Sequence, residues 1–275
     1  MKTIKYDKPA HFNIKDICES GQVFMYKEYE DGYLIQTKDK RAKISEDGEF
    51  IYITSSDHDL ILNYLDYYYD YENDFNMLKE MGFPKDILSF SDGIRILKQD
   101  LEEIVYSFII SQNNNIKRIK KIISNLLIKT NLKASDEFGE YYLFPSSKDI
   151  AKLELEELRE MGLGYRDKYI YNTSRFLSDN PDFLEKIKLL NTKEAHNELV
   201  KLSGVGPKVA DCILLYGMNR RDTFPLDTWM AKVFKEQFYD EKNRVKMADF
   251  ATKKYGNLAG LAQQLYFFHI RENSK

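Results

Sequence analysis

The stretch that decides the fold is Leu202-Ser203-Gly204-Val205-Gly206-Pro207-Lys208-Val209-Ala210-Asp211-Cys212. Apolar residues before and after it recur at helical spacing, which predicts two short helices joined by a turn. Glycine permits positive φ and close approach of other groups, and proline suits the first position of a helix. The stretch therefore predicts a helix-hairpin-helix whose turn, Gly204, Val205 and Gly206, is too tight to form without its glycines.

The hairpin also predicts chemistry. Its turn ends in free backbone N–H groups at a helix N-terminus, an arrangement that binds phosphate. Lys208 lies on the first turn of the second helix, and Pro225-Leu226-Asp227 places a carboxylate nineteen positions after that lysine. An amine can act as a nucleophile on carbon, and a nearby carboxylate can stabilise positive charge. We therefore predict Lys208 and Asp227 as a catalytic pair.

The composition and net charge of the chain are compatible with DNA binding but do not by themselves indicate it. The 275 residues are 43% hydrophobic and 14% aromatic, with a net charge of −3, so the chain can bury a large core but has no global basic signature. DNA affinity must then come from local patches. The candidate patch lies on a helix and consists of Lys117, Arg118, Lys120 and Lys121. The alternative interpretation is that these residues form an ordinary solvated helix face that binds no DNA.

Cysteine and histidine usage argues against a metal or disulfide framework. The two cysteines, Cys18 and Cys212, form no Cys-x-x-Cys cluster, and the histidines show no metal-ligand spacing. We therefore expect no metal and no cofactor. No signal peptide and no run of eighteen apolar residues is present, so we expect a cytoplasmic protein, and the richness in Lys, Ile, Asn and Tyr suggests a prokaryote.

The hydrophobic period changes near residue 90, which predicts an α+β fold with two domains. Residues 1–90 are predicted to form an antiparallel sheet domain with helices, because short strand-like runs alternate with turn signals. Residues 91–275 are predicted to form a larger, all-helical domain that carries the hairpin and packs against the sheet. The predicted strands are Gln22 to Tyr29, Gly32 to Thr37, Arg41 to Ile44 and Phe50 to Thr54. The predicted helices are Asp57 to Tyr71, Gln99 to Ser111, Ile116 to Thr130, Lys148 to Glu160, Arg166 to Leu177, Thr192 to Lys201, Pro207 to Gly217, Thr228 to Phe238, Arg244 to Tyr255 and Leu258 to Ile270.

The hairpin with its Pro-Leu-Asp resembles the helix-hairpin-helix, Gly/Pro-rich, Asp superfamily of DNA glycosylases. With the sheet domain, the resemblance extends to the branch of 8-oxoguanine DNA glycosylases that also nick abasic sites. It covers nearly the whole chain through short blocks in a fixed order. Besides the hairpin, these blocks are Ser20-Gly21-Gln22, Gly93-Ile94-Arg95-Ile96-Leu97-Lys98-Gln99-Asp100, Ser111-Gln112-Asn113-Asn114-Asn115-Ile116, Gly162-Leu163-Gly164-Tyr165-Arg166 and Gly260-Leu261-Ala262-Gln263.

This resemblance implies a reaction and a base pocket. Lys208 would form a Schiff base with the sugar of a flipped-out nucleotide, and Asp227 would stabilise the charge that develops there. The main-chain carbonyl of Gly21 would accept a hydrogen bond from N7–H of 8-oxoguanine. In the same family pattern, Gln263 reads the Watson–Crick edge of the base, and Phe267 and Cys212 sandwich it.

The resemblance also implies contacts with the opposite strand. Asn113 would fill the gap left by the flipped base, and Tyr165 would wedge the opposite strand. Arg118 and Arg166 would bond the orphaned base, and the planar donors of arginine suit the acceptors of cytosine. We therefore expect a monomer that acts on double-stranded DNA containing oxidised guanine, preferentially opposite cytosine, and has no membrane partner. Family members from eukaryotes have a histidine where this chain has Trp229, so a phosphate contact there is in doubt.

Other interpretations remain open at this stage. Lys208 could be a solvated lysine at an ordinary helix joint, with Asp227 as a helix N-cap. An alkylpurine glycosylase of the same superfamily would share the sheet domain and the aspartate, but those enzymes typically lack the lysine. A non-catalytic hairpin protein could also bind DNA as a scaffold or regulator. Core packing is an alternative role for Phe267 and Cys212, and a polar turn is the alternative for the block at Asn113.

Overall fold

The computed structural model describes residues 1–227, 230–231 and 243–273. The predicted helix Thr228 to Phe238 lies outside these residues except at 230–231, and Trp229 lies outside them entirely. The strands of the N-terminal sheet are β1 (Lys2–Asp7), β2 (Tyr26–Tyr29), β3 (Gly32–Thr37), β4 (Lys40–Glu46) and β5 (Phe50–Ser55). They form one antiparallel five-stranded sheet in the order β1-β5-β4-β3-β2, so the predicted α+β class with an N-terminal antiparallel sheet is confirmed.

Two edges of this sheet differ from the sequence prediction. β1 is not among the predicted strands, and it is held by antiparallel pairing with β5 from Lys2↔Ser55 to Asp7↔Phe50. The predicted strand over Gln22 to Tyr29 begins only at Tyr26. Its first residues form a loop instead, because the buried Gln22 side chain binds a distant segment of backbone.

Helices make up most of the chain after the sheet. Those described are α1 (Ile14–Glu19), α2 (His58–Tyr64), α3 (Tyr71–Glu80), α4 (Lys85–Phe90), α5 (Leu101–Ser111), α6 (Ile116–Thr130), α7 (Ser147–Ile150), α8 (Leu155–Glu160), α9 (Asp167–Asp179), α10 (Phe183–Lys188), α11 (Thr192–Leu199), α12 (Pro207–Met218), α13 (Arg244–Tyr255) and α14 (Ala259–Glu272). The predicted helix over Lys148 to Glu160 is two helices, α7 and α8, because Glu154 caps a new start.

The larger domain is helical, as predicted, but it also contains a short β-hairpin that the sequence did not predict. A hairpin of β6 (Lys133–Asp136) and β7 (Gly139–Tyr142) interrupts its helices. Arg41 of β4 donates from Nε to Asp136 Oδ2 at 2.9 Å, and its guanidinium carbon lies 4.0 Å from the ring centroid of Tyr141. These contacts tie the hairpin to the five-stranded sheet and explain why a polar segment is ordered there.

Two hydrophobic cores meet at the loop between α1 and β2. One core lies against the sheet and takes its residues from the strands, α1, α2 and Leu97. The other lies among the helices and includes Phe24 and Met25 from that loop. The loop thus contributes Val23 to the sheet core and Phe24 and Met25 to the helical core, and Gly21 just before them lies near Lys208 at the N-terminus of α12.

Candidate active site

The hairpin turn joins α11 to α12, and its two glycines have different surroundings. Gly204 has a φ of +82°, and a Cβ there would lie 2.5 Å from the Cγ of Tyr169 on α9. Gly206 has an ordinary φ of −88°, and a Cβ there would meet no atom within 4 Å. The prediction that the turn needs its glycines is therefore correct for Gly204 and wrong for Gly206, whose open surroundings leave the N-terminus of α12 accessible.

Side chains from two neighbouring elements hold the hairpin turn. The Nε2 of Gln112 donates to the carbonyl of Gly204 at 2.8 Å. The hydroxyl of Thr173 donates to the carbonyl of Ser203, also at 2.8 Å. Because Gln112 directly precedes Asn113, the hairpin and the turn between α5 and α6 are tied into one surface.

A cavity of about 680 Å³ opens where the N-terminus of α12 faces α14 and the loop after α1. The structure brings together around it all the residues predicted for catalysis and base recognition, namely Lys208, Asp227, Gly21, Gln263, Phe267 and Cys212. They come from four separate parts of the sequence. The cavity is thus a single site that holds an amine, a carboxylate, an amide and an aromatic ring.

Lys208 lies on the cavity wall beside Cys212 and Phe108. Its Nζ is 5.4 Å from the centroid of the Phe108 ring, and its side chain is within hydrogen-bonding reach of the Cys212 thiol. Burial raises the pKa of Cys212 to about 11, against a smaller opposite effect of the neighbouring lysine. The thiol is therefore neutral near pH 7 and forms an apolar part of the wall next to the amine of Lys208.

Asp227 both caps a helix and lines the cavity. Its Oδ1 accepts a hydrogen bond from the Met230 N–H at 2.8 Å, and its carbonyl accepts one from Ala231 at 2.9 Å. This is the geometry of an N-cap. The same side chain contributes to the wall that contains Lys208. The N-cap alternative and the catalytic prediction are therefore compatible, and an asparagine would preserve only the cap.

Gly21 lies close to side chains of α14. Its φ is +85°, and a Cβ there would lie 2.9 Å from Nη1 of Arg271 and 3.1 Å from Cε1 of Phe267. A side chain at this position would thus be strained and would crowd both neighbours. Glycine leaves the main chain of the loop open to the cavity.

Two buried glutamines that the sequence analysis did not assign hold the Gly21 loop. Gln22 donates to the carbonyl of Arg95 and accepts from the N–H of Leu97, both at 2.8 Å. Gln264 donates to the carbonyl of Ser20 at 3.0 Å. Their positions directly after Gly21 and Gln263 were the available signal, because a buried amide needs polar partners.

Gln263 presents an unsatisfied amide oxygen to the cavity. Its side chain is 4% exposed, and within the described part of the chain its Oε1 has no hydrogen-bond partner. A buried acceptor without a donor costs roughly 1–3 kcal/mol. A bound group that donates to this oxygen would remove that penalty, so the position is built for a polar ligand.

Three of the residues predicted to contact the opposite strand lie together outside the cavity. Asn113 is exposed and has a φ of +46°, which turns the chain between α5 and α6. Arg118 donates from Nη2 to the carbonyl of Gly162 at 3.2 Å, which brings it to the turn before α9. Tyr165 in that turn is 53% exposed and rests edge-on against Tyr169, with ring centroids 5.8 Å apart.

Arg166 is placed differently from Arg118. It is 3% exposed, and its guanidinium makes four hydrogen bonds, to the carbonyls of Gln112, Asn113 and Leu163. A guanidinium has five donors, so one remains. In this conformation Arg166 supports the turn at Asn113, and contact with a base would use the remaining donor or a released one.

The predicted basic patch on α6 is smaller than expected. Lys117, Arg118 and Lys121 are exposed, but Lys120 is turned inward. Its Nζ donates to the carbonyl of Tyr26 at 2.9 Å and lies 3.6 Å from the centroid of that ring. Burial lowers the pKa of Lys120. This lysine therefore joins α6 to the sheet instead of adding to the surface charge.

The cysteines, the possible metal ligands and the lengths of the helices can be described for most of the chain. Cys18 and Cys212 are both free and buried. Over residues 1–227, 230–231 and 243–273, no three His, Cys, Asp or Glu side chains are grouped to hold a metal ion. In the same residues, no helix is long and apolar enough to cross a membrane.

Comparison with known sequences matches two families that together span most of the chain. Residues 5–105 match the N-terminal domain of 8-oxoguanine DNA glycosylase. Residues 106–258 match the HhH-GPD superfamily of base excision DNA repair proteins. A probable N-glycosylase/DNA lyase of Methanothermobacter thermautotrophicus is 31% identical over 226 residues, which cover 74% of this chain and 72% of that protein. The N-glycosylase/DNA lyase OGG1 of Arabidopsis thaliana is 34% identical over 188 residues, 64% of this chain, and the match spans about half (51%) of that longer relative.

Solved structures agree with these matches over the whole chain. An 8-oxoguanine glycosylase/lyase of Clostridium acetobutylicum, in complex with double-stranded DNA containing cytosine opposite 8-oxoguanine, superposes with a TM-score of 0.92 at 35% identity and covers 99% of both chains. MBOgg1 in complex with a low-affinity DNA ligand gives a TM-score of 0.94 at 33% identity, covering 100% of this chain and 97% of the other. The similarity thus spans both the sheet domain and the helical domain that carries the hairpin.

Proposed function

Since the chain belongs to the HhH-GPD superfamily of base excision DNA repair proteins, with an N-terminal domain of the 8-oxoguanine DNA glycosylase type, we propose that it excises 8-oxoguanine from duplex DNA and nicks the resulting site. The proposed substrate has the lesion opposite cytosine. The observation that carries this proposal is the single cavity that joins Lys208, Asp227 and the unsatisfied Gln263.

Lys208 supplies the nucleophile in this mechanism. Its neutral amine attacks C1′ of the flipped nucleotide as the bond from C1′ to the base breaks, and the base leaves with the bonding electron pair and takes up a proton. The sugar ring then opens, and Nζ and C1′ form a Schiff base with loss of a proton. Removal of a C2′ proton expels the 3′ phosphate, and hydrolysis of the Schiff base frees the lysine.

Asp227 stabilises the positive charge that develops at the sugar while the base leaves. A fixed carboxylate in a site that excludes water lowers the energy of such a transition state. It also serves as the acceptor and donor for protons that the lysine loses and regains. The cap hydrogen bond to Met230 supports this role, because it fixes the carboxylate on the wall that carries Lys208.

Recognition of the base rests on the N7 position. 8-Oxoguanine carries a proton on N7, whereas guanine carries a lone pair, so the main-chain carbonyl of Gly21 would gain a hydrogen bond only from the lesion. The unpartnered Oε1 of Gln263 would accept from the Watson–Crick edge. Phe267 and Cys212 would lie against the two faces of the base.

Recognition of the opposite strand rests on the surface formed by the turns at Asn113 and Tyr165. Asn113 would fill the gap in the duplex, and Tyr165 would wedge the facing step. Arg118 and Arg166 would donate to the orphaned cytosine. The hairpin turn at Gly204 to Gly206 would bind the phosphates of the DNA backbone. The exposure of Asn113, Arg118 and Tyr165 supports this assignment.

The experiment that tests the proposal is a cleavage panel. Duplexes carry 8-oxoguanine opposite C, A, G or T, together with 3-methyladenine and undamaged controls, and base release and strand nicking are measured separately. We expect release and nicking of 8-oxoguanine, fastest opposite C, and a covalent adduct when borohydride is present. Release of 3-methyladenine alone would favour an alkylpurine glycosylase, and binding without release or adduct would favour a non-catalytic hairpin protein.

We further propose that the protein acts as a monomer on chromosomal DNA in a prokaryotic cytoplasm. The reaction needs one hairpin and one cavity, and both are contained in this chain. The archaeal relative supports a prokaryotic setting. Sedimentation of the free protein and of its complex with a lesion duplex should give one chain per duplex, whereas two chains would contradict this assignment.

A further inference from the structure

Arg271 is a cation on the wall of the base cavity that the mechanism does not use. It lies on α14, and its spacing from Gln263 and Phe267, eight and four residues earlier, places all three on one face of that helix. All three side chains line the cavity. The guanidinium is therefore part of the site where the base would bind.

The guanidinium of Arg271 is only partly satisfied by the protein. Nη2 donates to the carbonyl of Glu19 and to Glu272, and Nε also donates to Glu272. Nη1 is buried and has no hydrogen-bond partner in the described part of the chain. A buried charged donor without an acceptor is costly, which indicates that the acceptor comes from a ligand.

The free donor lies next to the residue that would read N7. A Cβ on Gly21 would be only 2.9 Å from Nη1 of Arg271. In 8-oxoguanine the N7–H is flanked by two carbonyl oxygens, O8 on the neighbouring ring carbon and O6 across the ring junction. A donor beside the Gly21 carbonyl can thus pair with one of these oxygens when that carbonyl accepts the N7–H.

We propose that Arg271 is a specificity-determining residue that donates from Nη1 to a carbonyl oxygen flanking N7 of the bound base. Gly21 and Arg271 would then form an acceptor and donor pair that matches the N7–H and carbonyl of the lesion. The proposal rests on the proposed function, because it assigns a contact in the same base pocket. The hydrogen bond from Nη2 of Arg271 to the carbonyl of Glu19 would fix the guanidinium before the base arrives.

The test couples protein variants with substrate analogues. Arg271→Met removes the donor and keeps most of the side-chain length, Arg271→Lys retains a charged donor, and Lys186→Met removes a charge from the exposed face of α10 as a control. Single-turnover base release is measured opposite C for 8-oxoguanine, for 8-thioguanine and for 6-thio-8-oxoguanine. Sulfur replaces one carbonyl oxygen by a weak acceptor in each analogue, while N7–H is retained.

We expect Arg271→Met to slow release of 8-oxoguanine about ten- to a hundredfold, the range for losing one charged hydrogen bond. The same substitution should slow one of the two thio analogues less than about threefold, which identifies O8 or O6 as the acceptor. Arg271→Lys should recover part of the rate, and Lys186→Met should change nothing.

Equal slowing of all three substrates by Arg271→Met would overturn the proposal, because it would assign Arg271 to support of the Glu19 segment or to the DNA backbone. An Arg271→Met protein as fast as the unmodified one would also overturn it. Failure of the proposed function is a separate outcome, since the unmodified protein would then release none of these bases. If Arg271→Met does not fold, release of the three bases by Arg271→Lys is compared instead. Unequal slowing then supports the contact with a carbonyl oxygen, and equal slowing contradicts it.

Discussion

The wall of the cavity beside Lys208 and the surface proposed to face the opposite strand differ in how far the protein already satisfies their polar groups. In the cavity, Gln263 and Arg271 each keep a buried atom without a partner in the described residues. On the other surface, Arg166 is buried, and its guanidinium makes four hydrogen bonds to backbone carbonyls. The cavity is therefore organised to receive a ligand, whereas part of the strand-facing surface is committed to holding its own turn.

The largest effect should come from the cavity. We expect Lys208→Gln to abolish both base release and the borohydride-trapped adduct, because no other amine is placed at the start of α12. DNA binding should stay within about tenfold, since phosphate contacts dominate affinity. Retained trapping by this variant on an 8-oxoguanine duplex would remove Lys208 from its role.

Asp227→Asn should have the next largest effect. Asparagine keeps the N-cap but removes the negative charge, so the single-turnover rate should fall by about two or more orders of magnitude. The melting temperature should hardly change, which separates this result from a loss of folding. A fully active Asp227→Asn protein would show that the residue is only a cap.

The two arginines proposed to contact the opposite strand should differ from each other. Arg118 has one hydrogen bond of 3.2 Å and is exposed, so Arg118→Ala should lower the rate ratio between lesions opposite C and opposite A by about tenfold. Arg166→Ala should lower the same ratio but, unlike Arg118→Ala, should also slow both substrates and lower thermal stability, because it frees the turn at Asn113. Lys121→Ala, on the exposed face of α6, serves as the charge control.

Equal behaviour of these two variants would show that Arg118 and Arg166 play the same role. If both change only the C-to-A ratio, Arg166 leaves its carbonyl partners in the complex and reads the base directly. If neither changes that ratio, both arginines only support the backbone. A ratio near one in the unmodified protein would refute the preference for cytosine itself.

The smallest effect concerns Asp211, one turn after Lys208 on α12. Burial, with Asp249 nearby, raises the pKa of Asp211 to about 7, against a lowering effect of Lys208, and His196 Nε2 lies 3.6 Å from its Oδ1. A carboxyl whose pKa is raised on folding binds more protons in the native state. The stability that it contributes is therefore lost as the pH rises from about 4 to about 7.

We expect Asp211→Asn to remove this loss. The free energy of unfolding of the variant minus that of the unmodified protein should be about 1–3 kcal/mol larger at pH 8 than at pH 4.5. Urea unfolding at the two pH values measures this difference. Burial also lowers the pKa of His196, but both proteins share that contribution. A difference between the proteins that does not vary with pH would contradict the assignment.

Local patterns predicted the hairpin and most helices, because each depends on residues close in sequence. The base-recognition residues of the cavity were predicted only through the family resemblance of short motifs. The sequence could not predict β1, since its alternation is weak and its pairing partner lies far along the chain. It also missed the hairpin of β6 and β7, which is held by Arg41 of the sheet domain. Gln22 and Arg271 were missed for the same reason, because their roles come from contacts between distant segments.

In the proposed mechanism, Lys208 attacks the sugar of the damaged nucleotide. To test this attack, the protein is trapped with borohydride on an 8-oxoguanine duplex opposite C, the adduct is digested, and the modified residue is located by mass spectrometry. We expect one modified peptide, with the reduced sugar remnant on Nζ of Lys208. A remnant on the N-terminal amine or on another lysine, or efficient base release with no adduct at all, would contradict this mechanism.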